Sequence, residues 1–525
     1  NAATITMGAA ASVGNYGIWN NAAFNNNTGG QIKIDRWTSN GLNNVSGGTF
    51  TNAATITIGA LPSTGFYGIF NESVFNNNTG GQIKIDRSTD TGLYNFTGGT
   101  FTNETTITIG AVASVGTYGL QNKAAFNNNT GGQINIDRST SAGLYNLSGG
   151  TFTNAAAITI GAVASVGTYG IHNVAAFNNN TGGQINIDRS TTSGIFLLFG
   201  TSTFPNAATI TIGALVPMTN LMTSSSASSG GFINNTGGVL KGTGTLPAFA
   251  FTLAGGQLAP GYSPGKMTFD AAEDFSNSIL AMEVAGGGGV GGADFDQVVT
   301  SGAAALGANT TLNLVFGYAT TEGATFDILT ATSVSGTIPL AKISFSNTGA
   351  GNVTSVIVSY PAGKVRVTVS TASTWTGATG TDWATATNWS NGVPDATKIA
   401  IIANVANDPT IGSAAFARTV TVQSGAVLSI AVAATLTIDG SPTQGILNQG
   451  TVENSGTLRI GQTISTGLYG ILNQSVFNNN TGGQIRIDRS TGTNSVGLYN
   501  YIGGTFTNIG SITIGASASV GTYGV

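Results

Sequence analysis

Phenylalanine recurs through the first half of the chain with a regularity that restricts what it can fold into. It stands at Phe24, Phe50, Phe75, Phe101, Phe126, Phe152, Phe177, Phe204 and Phe232, at intervals of 26, 25, 26, 25, 26, 25, 27 and 28 residues. Each Phe is followed two positions later by Asn: Asn26, Asn52, Asn77, Asn103, Asn128, Asn154, Asn179, Asn206 and Asn234. Between these marks lie two other short pieces of period two. One has the form Ile-x-Ile, as at Ile56 and Ile58, Ile83 and Ile85, Ile107 and Ile109. The other has the form Gly-Ile/Leu-x-Asn, as from Gly68 to Asn71, Gly92 to Asn95 and Gly119 to Asn122. Gly- and Asn-rich turns separate them.

A single turn of this kind cannot bury its apolar side, but stacked turns pair every strand with the coil above and below. The repeat therefore predicts an all-β fold, a parallel β-helix whose backbone winds once per 25 or so residues and rises about 4.8 Å per rung. Its hand is expected to be right, by the general chirality of β crossovers. Phe sits on Phe, Ile on Ile and Asn on Asn, the stacked amides bonding along the axis. Neighbouring rungs differ in wording, so the full period is 51 residues, as from Phe50 to Phe101.

The periodicity divides the chain into four. Residues 1–246 read as one β-helix. Residues 247–372 are β-rich but aperiodic, and are expected to cap the solenoid where open strand edges would invite aggregation. Residues 373–410 hold Trp375, Trp383 and Trp389, three of only five Trp, and are expected to open a second β-helix over 411–525, which continues beyond this segment. Residues 508–525 can be laid over residues 1–18 at an offset of 507, which fits a longer super-repeat.

Only 7% of the residues are charged and the net charge is −4, so no electrostatic footprint exists for nucleic acid or an anionic membrane. The mean hydropathy is positive, yet no apolar run approaches the 18 or so residues of a membrane span, and no insertion is expected. Cysteine is absent, which removes disulfides and thiolate chemistry. The chain begins at Asn1 with neither Met nor a leader, and reads as an internal piece of a very long protein.

From Leu240 to about Val369 the sequence resembles the end of the passenger region in autotransporter and filamentous-haemagglutinin-like proteins. The residues that carry the likeness are Lys241 to Gly244, Gly255 to Gly265 with its Pro-Gly-x-Ser-Pro-Gly piece, Phe295 to Val298, and Ser301-Gly302. The resemblance implies a β-helical to sandwich-like region that assists folding or export. No membrane barrel follows it; a Trp-rich start opens another solenoid instead, a pattern similar to giant modular bacterial adhesins and filament proteins.

No catalytic, cofactor-binding or metal site is expected. His172 is the only His, and its slot holds Trp19, Phe70, Gln121 or Leu472 elsewhere, which points it to solvent. The Asp-Arg pairs at 35–36, 86–87, 137–138, 188–189 and 488–489 are expected to form a charge ladder rather than a calcium stripe. Acids at Asp270, Glu273, Asp274, Glu283, Asp294 and Asp296 are the remaining catalytic candidates. The Gly-rich run from Ala285 to Gly292 lacks the Lys and Ser/Thr of a phosphate loop. Thr-x-Thr pairs occur on alternate rungs only, against an ice-binding plane. Trp19, Phe70 and Lys123 are the candidate exposed contacts. The expected role is a structural and adhesive element on a bacterial surface, self-associating into filaments and contacting surfaces or other cells. The alternatives are a glycan- or cell-binding module and, third, a polysaccharide-degrading enzyme.

Overall fold

The computed structural model describes every residue except 199–201, 226–230, 247–250, 263, 322, 352, 354, 371, 391, 397, 440–443, 464–466, 490–494, 516–523 and 525. Ser263 of the Pro-Gly-x-Ser-Pro-Gly piece, part of the Met- and Ser-rich stretch from Val216 to Ser229, and much of the 508–525 overlay thus lie outside the described residues. The chain divides into two compact units: residues 1–318, 326–351 and 358–367, and residues 319–325, 352–357 and 368–525.

The first unit is a parallel β-solenoid. Its main sheets contain 14, 15 and 10 strands, and before Thr325–Thr330 each strand with a successor in its sheet pairs with the third strand after it, one coil further on. Three faces result. An isoleucine face begins with Thr4–Met7, Gln31–Ile34 and Thr55–Ile58; a glycine face with Gly14–Asn20, Trp37–Asn44 and Tyr67–Asn71; a phenylalanine face with Ala23–Asn26, Thr49–Asn52 and Val74–Asn77. Register is like on like: Ile32 on Ile56 on Ile83, Leu42 on Ile69 on Leu93, Phe24 on Phe50 on Phe75. Alternate residues point inward and are buried, as period two requires.

Three inward ladders, one of Phe and two of Asn, hold the coils in register. From Phe24 to Phe204 consecutive rings stack at 4.4 to 4.8 Å with planes within 13°. Strand spacing of about 4.8 Å sets the ring-to-ring distance, and burial of the rings stabilises the stack. Behind each ring lies Asn. Asn26 Nδ2 donates to Asn52 Oδ1 at 2.7 Å, and the chain of amides runs on through Asn77, Asn103, Asn128, Asn154, Asn179 and Asn206 to Asn234. A second amide ladder climbs the glycine face from Asn20 through Asn44, Asn71, Asn95, Asn122 and Asn146 to Asn173. It stops where Leu197 pairs with Asn173.

The Asp-Arg pairs are not a charge ladder. Asp86 Oδ1 accepts hydrogen bonds from the amides of Val112 and Ala113, both at 2.9 Å, on the following coil. Arg87, in the left-handed region at φ 58°, donates through Nη1 to the carbonyls of Gly59 and Ala60 on the preceding coil at 2.8 and 2.7 Å. Asp137 and Arg138 repeat the arrangement. Two rungs separate successive pairs, roughly 10 Å, too far for the charges to meet, so the first four pairs clamp corner backbone instead; in the fifth, Arg489 Nη1 donates to the Gly461 carbonyl while Asp488 Oδ1 is buried with no partner among the described residues.

Beyond Leu246 the described strands continue the stacking on the isoleucine and glycine faces, joined by a short third sheet of Glu273–Asp274, Ala304–Ala305 and Val334–Ser335. Leu240 lies under Leu258, then come Leu280, Leu312 and Ile343, while the phenylalanine face ends at Phe251–Ala254. Coil length is no longer constant here, which is why the sequence loses its period. In the second unit Trp375, Trp383 and Trp389 meet edge to face at 4.6 and 5.1 Å and are buried in one core with the coils that follow. Sheets of 6, 5 and 5 strands stack there, and the amide ladders resume at Asn448 to Asn473 and Asn454 to Asn479. Among the described residues no helix is long and apolar enough to cross a membrane.

Candidate functional site

The outward side of the glycine face carries the most distinctive surface. Its strands read Tyr-Gly-Ile-Phe-Asn or Thr-Gly-Leu-Tyr-Asn: Ile or Leu and Asn turn in, while the first and fourth residues turn out. The intervening Gly has no room for a side chain, since a Cβ on Gly68 would lie 2.3 Å from Ile85 Cγ2 and 2.6 Å from the Gly92 carbonyl. The coils therefore approach closely, and rings on neighbouring rungs must touch.

They do so in three groups. Tyr16 and Trp19 pack edge to face at 4.7 Å, and Trp19 is 53% exposed. Tyr67, Phe70, Tyr94 and Phe96 form a second group with ring centroids 5.3 to 5.6 Å apart. Lys123 Nζ lies over the Phe96 ring at 5.0 Å, a cation–π contact. Tyr118, Tyr145, Tyr169, His172 and Phe196 form the third. Asn43 interrupts the strip between Trp19 and Phe70, and Gln121 between Tyr94 and Tyr145.

The structure thus links Phe70 and Lys123 through Phe96 and leaves Trp19 apart with Tyr16. Only Trp19 of the three is exposed; Phe70 and Lys123 are half-buried by adjacent rungs. Sequence reading missed the tyrosines. Their signal was the residue before Gly in Tyr-Gly-Ile/Leu-x-Asn, and the x of Gly-Leu-x-Asn on alternate rungs.

Burial pushes the Tyr94 phenol up to about 12, and burial with the Asp90 carboxylate raises Tyr67. His172 does not simply face solvent. It is half-buried between Tyr145 and Phe196, its Nε2 is buried without a partner, and burial pulls its pKa down to about 4. The folded chain therefore favours the neutral imidazole, whereas the unfolded chain takes up a proton near 6.5. Stability contributed by this residue is present above pH 6.5, declines as pH falls, and is lost below about 4. Denaturation midpoints measured from pH 7 to 4 are expected to fall less for His172→Gln, which copies Gln121, than for the wild type; equal slopes would refute the assignment.

Three of the acids of residues 270–296, Asp274, Asp294 and Asp296, accept hydrogen bonds from backbone amides. Asp296 accepts from the Gly265 and Glu283 amides at 2.7 and 2.8 Å, and burial raises its pKa to about 7. Asp294 accepts from Val290 N at 2.8 Å, and its carbonyl takes the Ala285 and Gly286 amides, closing the Gly-rich run into a turn. Glu273, raised to about 8 by burial and the Asp274 carboxylate, lies on a two-residue strand. Among the described residues no three His, Cys, Asp or Glu gather to hold a metal. The three Trp of the second unit are core, with Trp375 Nε1 bound to the Asn407 carbonyl and Trp389 Nε1 to that of Trp383. They are not free to stack on a sugar.

No curated protein matches the chain. Residues 374–520, the tryptophan cluster and the coils after it, match a family described as a domain of unknown function (DUF8693).

Proposed function

We propose that this chain is a segment of a large extracellular structural and adhesive protein, in which β-solenoid coils act as a stiff spacer and present repeating surfaces for contact. The observation that carries the reading is the unbroken inner ladder: nine Asn from Asn26 to Asn234 joined amide to amide within continuously paired backbone. Such a stack resists extension through hydrogen bonds in parallel, without crosslinks. The likeness of residues 240–369 to the passenger end of exported β-helical proteins supports a surface location. The sparsely charged surface opposes little repulsion to self-association, and weak repeated contacts add with length. Electron microscopy of the native protein is expected to show fibres or filaments; dispersed globular particles would reject the role.

The aromatic strip favours a second reading, contact with glycans. Aromatic faces stack on the apolar faces of sugars, and two rungs, roughly 10 Å, come close to the two-sugar repeat of an extended β-linked chain. Glycan-array binding by the full chain should fall by about tenfold in Trp19→Ala, for a loss near 1.4 kcal/mol. Unchanged binding would confine the strip to a packing role.

A further inference from the structure

On the isoleucine face of the first unit, the outward residue between the two Ile positions alternates in type. It runs Thr6, Lys33, Thr57, Lys84, Thr108, Asn135, Thr159, Asn186. Lys33 and Lys84 each have Thr on either side, and Lys241 further on lies between Thr211 and Ala259. The second unit breaks the alternation: the series is Thr437, Arg459, Arg486, Thr513, so that Arg459 and Arg486 stand directly opposite each other on neighbouring parallel strands. Strands in a sheet lie about 4.8 Å apart, and like charges at opposed positions destabilise the pair.

The juxtaposition is costly in a chain with only 17 Lys and Arg among 525 residues. Among the described residues no ion pair of either arginine relieves it. Among the described residues the ion pairs are those of Asp327 with Lys364 and Arg366, and of Asp395 with Lys398. Arg459 Nε is buried with no hydrogen-bond partner, and both arginines are half-buried on a flat strand surface beside Thr457 and Gln484. Two arginines at opposed positions of neighbouring strands, with no hydrogen bond from either side chain to a described residue, suit the oxygens of one oxyanion, which both can bond while their charges are neutralised.

We infer that Arg459 and Arg486 form a seat for an oxyanion: a carboxylate, sulfate or phosphate group, free or carried on a larger molecule. The site is independent of the aromatic strip and of the filament role, because it rests on a different unit and a different face.

Titration calorimetry on the full chain would use inorganic sulfate, inorganic phosphate and an oligogalacturonate, with neutral dextran as control. The wild type is expected to bind at least one of the anions and not dextran, more weakly as sodium chloride is added. Preference for sulfate or phosphate would identify tetrahedral anions as the source, preference for the oligogalacturonate an acidic glycan. Arg459→Thr restores the residue the repeat uses at this point, so it should fold, with a melting temperature equal to or above that of the wild type. It should bind the preferred anion at least about tenfold more weakly, the loss expected for one charge-assisted hydrogen bond. Arg459→Lys should lie between. Wild-type binding no better than to dextran, or equal binding by Arg459→Thr, would overturn the assignment. A lower melting temperature in Arg459→Thr with binding intact would assign the arginine to packing instead.

Discussion

Replacing Asn128 by Leu is expected to destabilise the coils around it by about 3 kcal/mol, although the new side chain is apolar, similar in size and fully buried. Asn128 sits in the middle of a directional relay: its Oδ1 accepts from Asn103 Nδ2 at 2.8 Å and its Nδ2 donates to Asn154 Oδ1 at 2.8 Å. Leucine ends both bonds and leaves a donor and an acceptor facing hydrocarbon, each costing about 1–3 kcal/mol when buried unpaired. Part of the loss is recovered, because Asn103 Nδ2 also reaches the Thr105 carbonyl at 2.8 Å. At Asn173 the same change should cost about half as much. That residue is the last of its ladder, so of the ladder amides only Asn146 loses a partner, beside the Ala175 and Thr203 carbonyls that accept from Asn173 Nδ2, and Leu197 already occupies the next slot. Since each coil is stabilised mainly by its neighbours, the loss should be local. Hydrogen exchange should show reduced protection in Thr100–Asn103 and Thr151–Asn154, the strands that flank Ala125–Asn128. Equal costs at Asn128 and Asn173 would mean that the amides act as separate pairs and not as a relay.

The ladders were legible because a solenoid repeats its core at a fixed sequence interval. Phe126 and Asn128 reveal themselves through Phe101, Asn103, Phe152 and Asn154, and no knowledge of contacts is needed. What sits between the marks was harder to read. Asp137 and Arg138 are adjacent opposite charges, which suggests a pair, but their partners are backbone groups on the coils above and below. Those carbonyls and amides carry no side-chain signature. The aromatic strip was half visible, since Trp19, Phe70 and Tyr94 share a slot with His172, while Tyr67 lies opposite Thr91 in a slot that joins the strip only once the strands are aligned across coils. The region after Leu246 lost its period because coils of unequal length still pair strand to strand, and pairing leaves a mark in sequence only when the coils are equal. The arginine pair of the second unit was invisible for the same reason. Arg459 and Arg486 are 27 positions apart in sequence and become neighbours only through the register of Thr457–Ile460 with Gln484–Ile487.

The largest single-residue effect is expected at a corner glycine. Gly161 has φ 74°, and a Cβ placed on it would lie 1.9 Å from the carbonyl oxygen and 2.8 Å from the carbonyl carbon of Asp188 on the next coil. That carbonyl is backbone at the corner just after Gln184–Ile187 and cannot rotate away as a side chain could. Its neighbourhood is also fixed, because Arg189 Nη1 donates to the Gly161 carbonyl at 2.8 Å and the Gly161 amide donates to Ile136 O at 2.8 Å. Gly161→Ala must separate two coils or break the corner clamp, and should cost more than about 4 kcal/mol, the range reached only by severe core or backbone disruption. Gly149→Ala separates this clash from backbone strain alone. Its φ is 87°, yet the nearest atom to an added Cβ is the Lys123 carbonyl oxygen at 3.9 Å, so only the left-handed conformation is penalised, by about 1–2 kcal/mol. Chemical denaturation of the two variants side by side should show the larger loss at Gly161, with new protease cleavage near residues 161 and 188. Comparable losses at both sites would mean that the corner yields, and that close stacking of coils there is not what fixes glycine in the repeat.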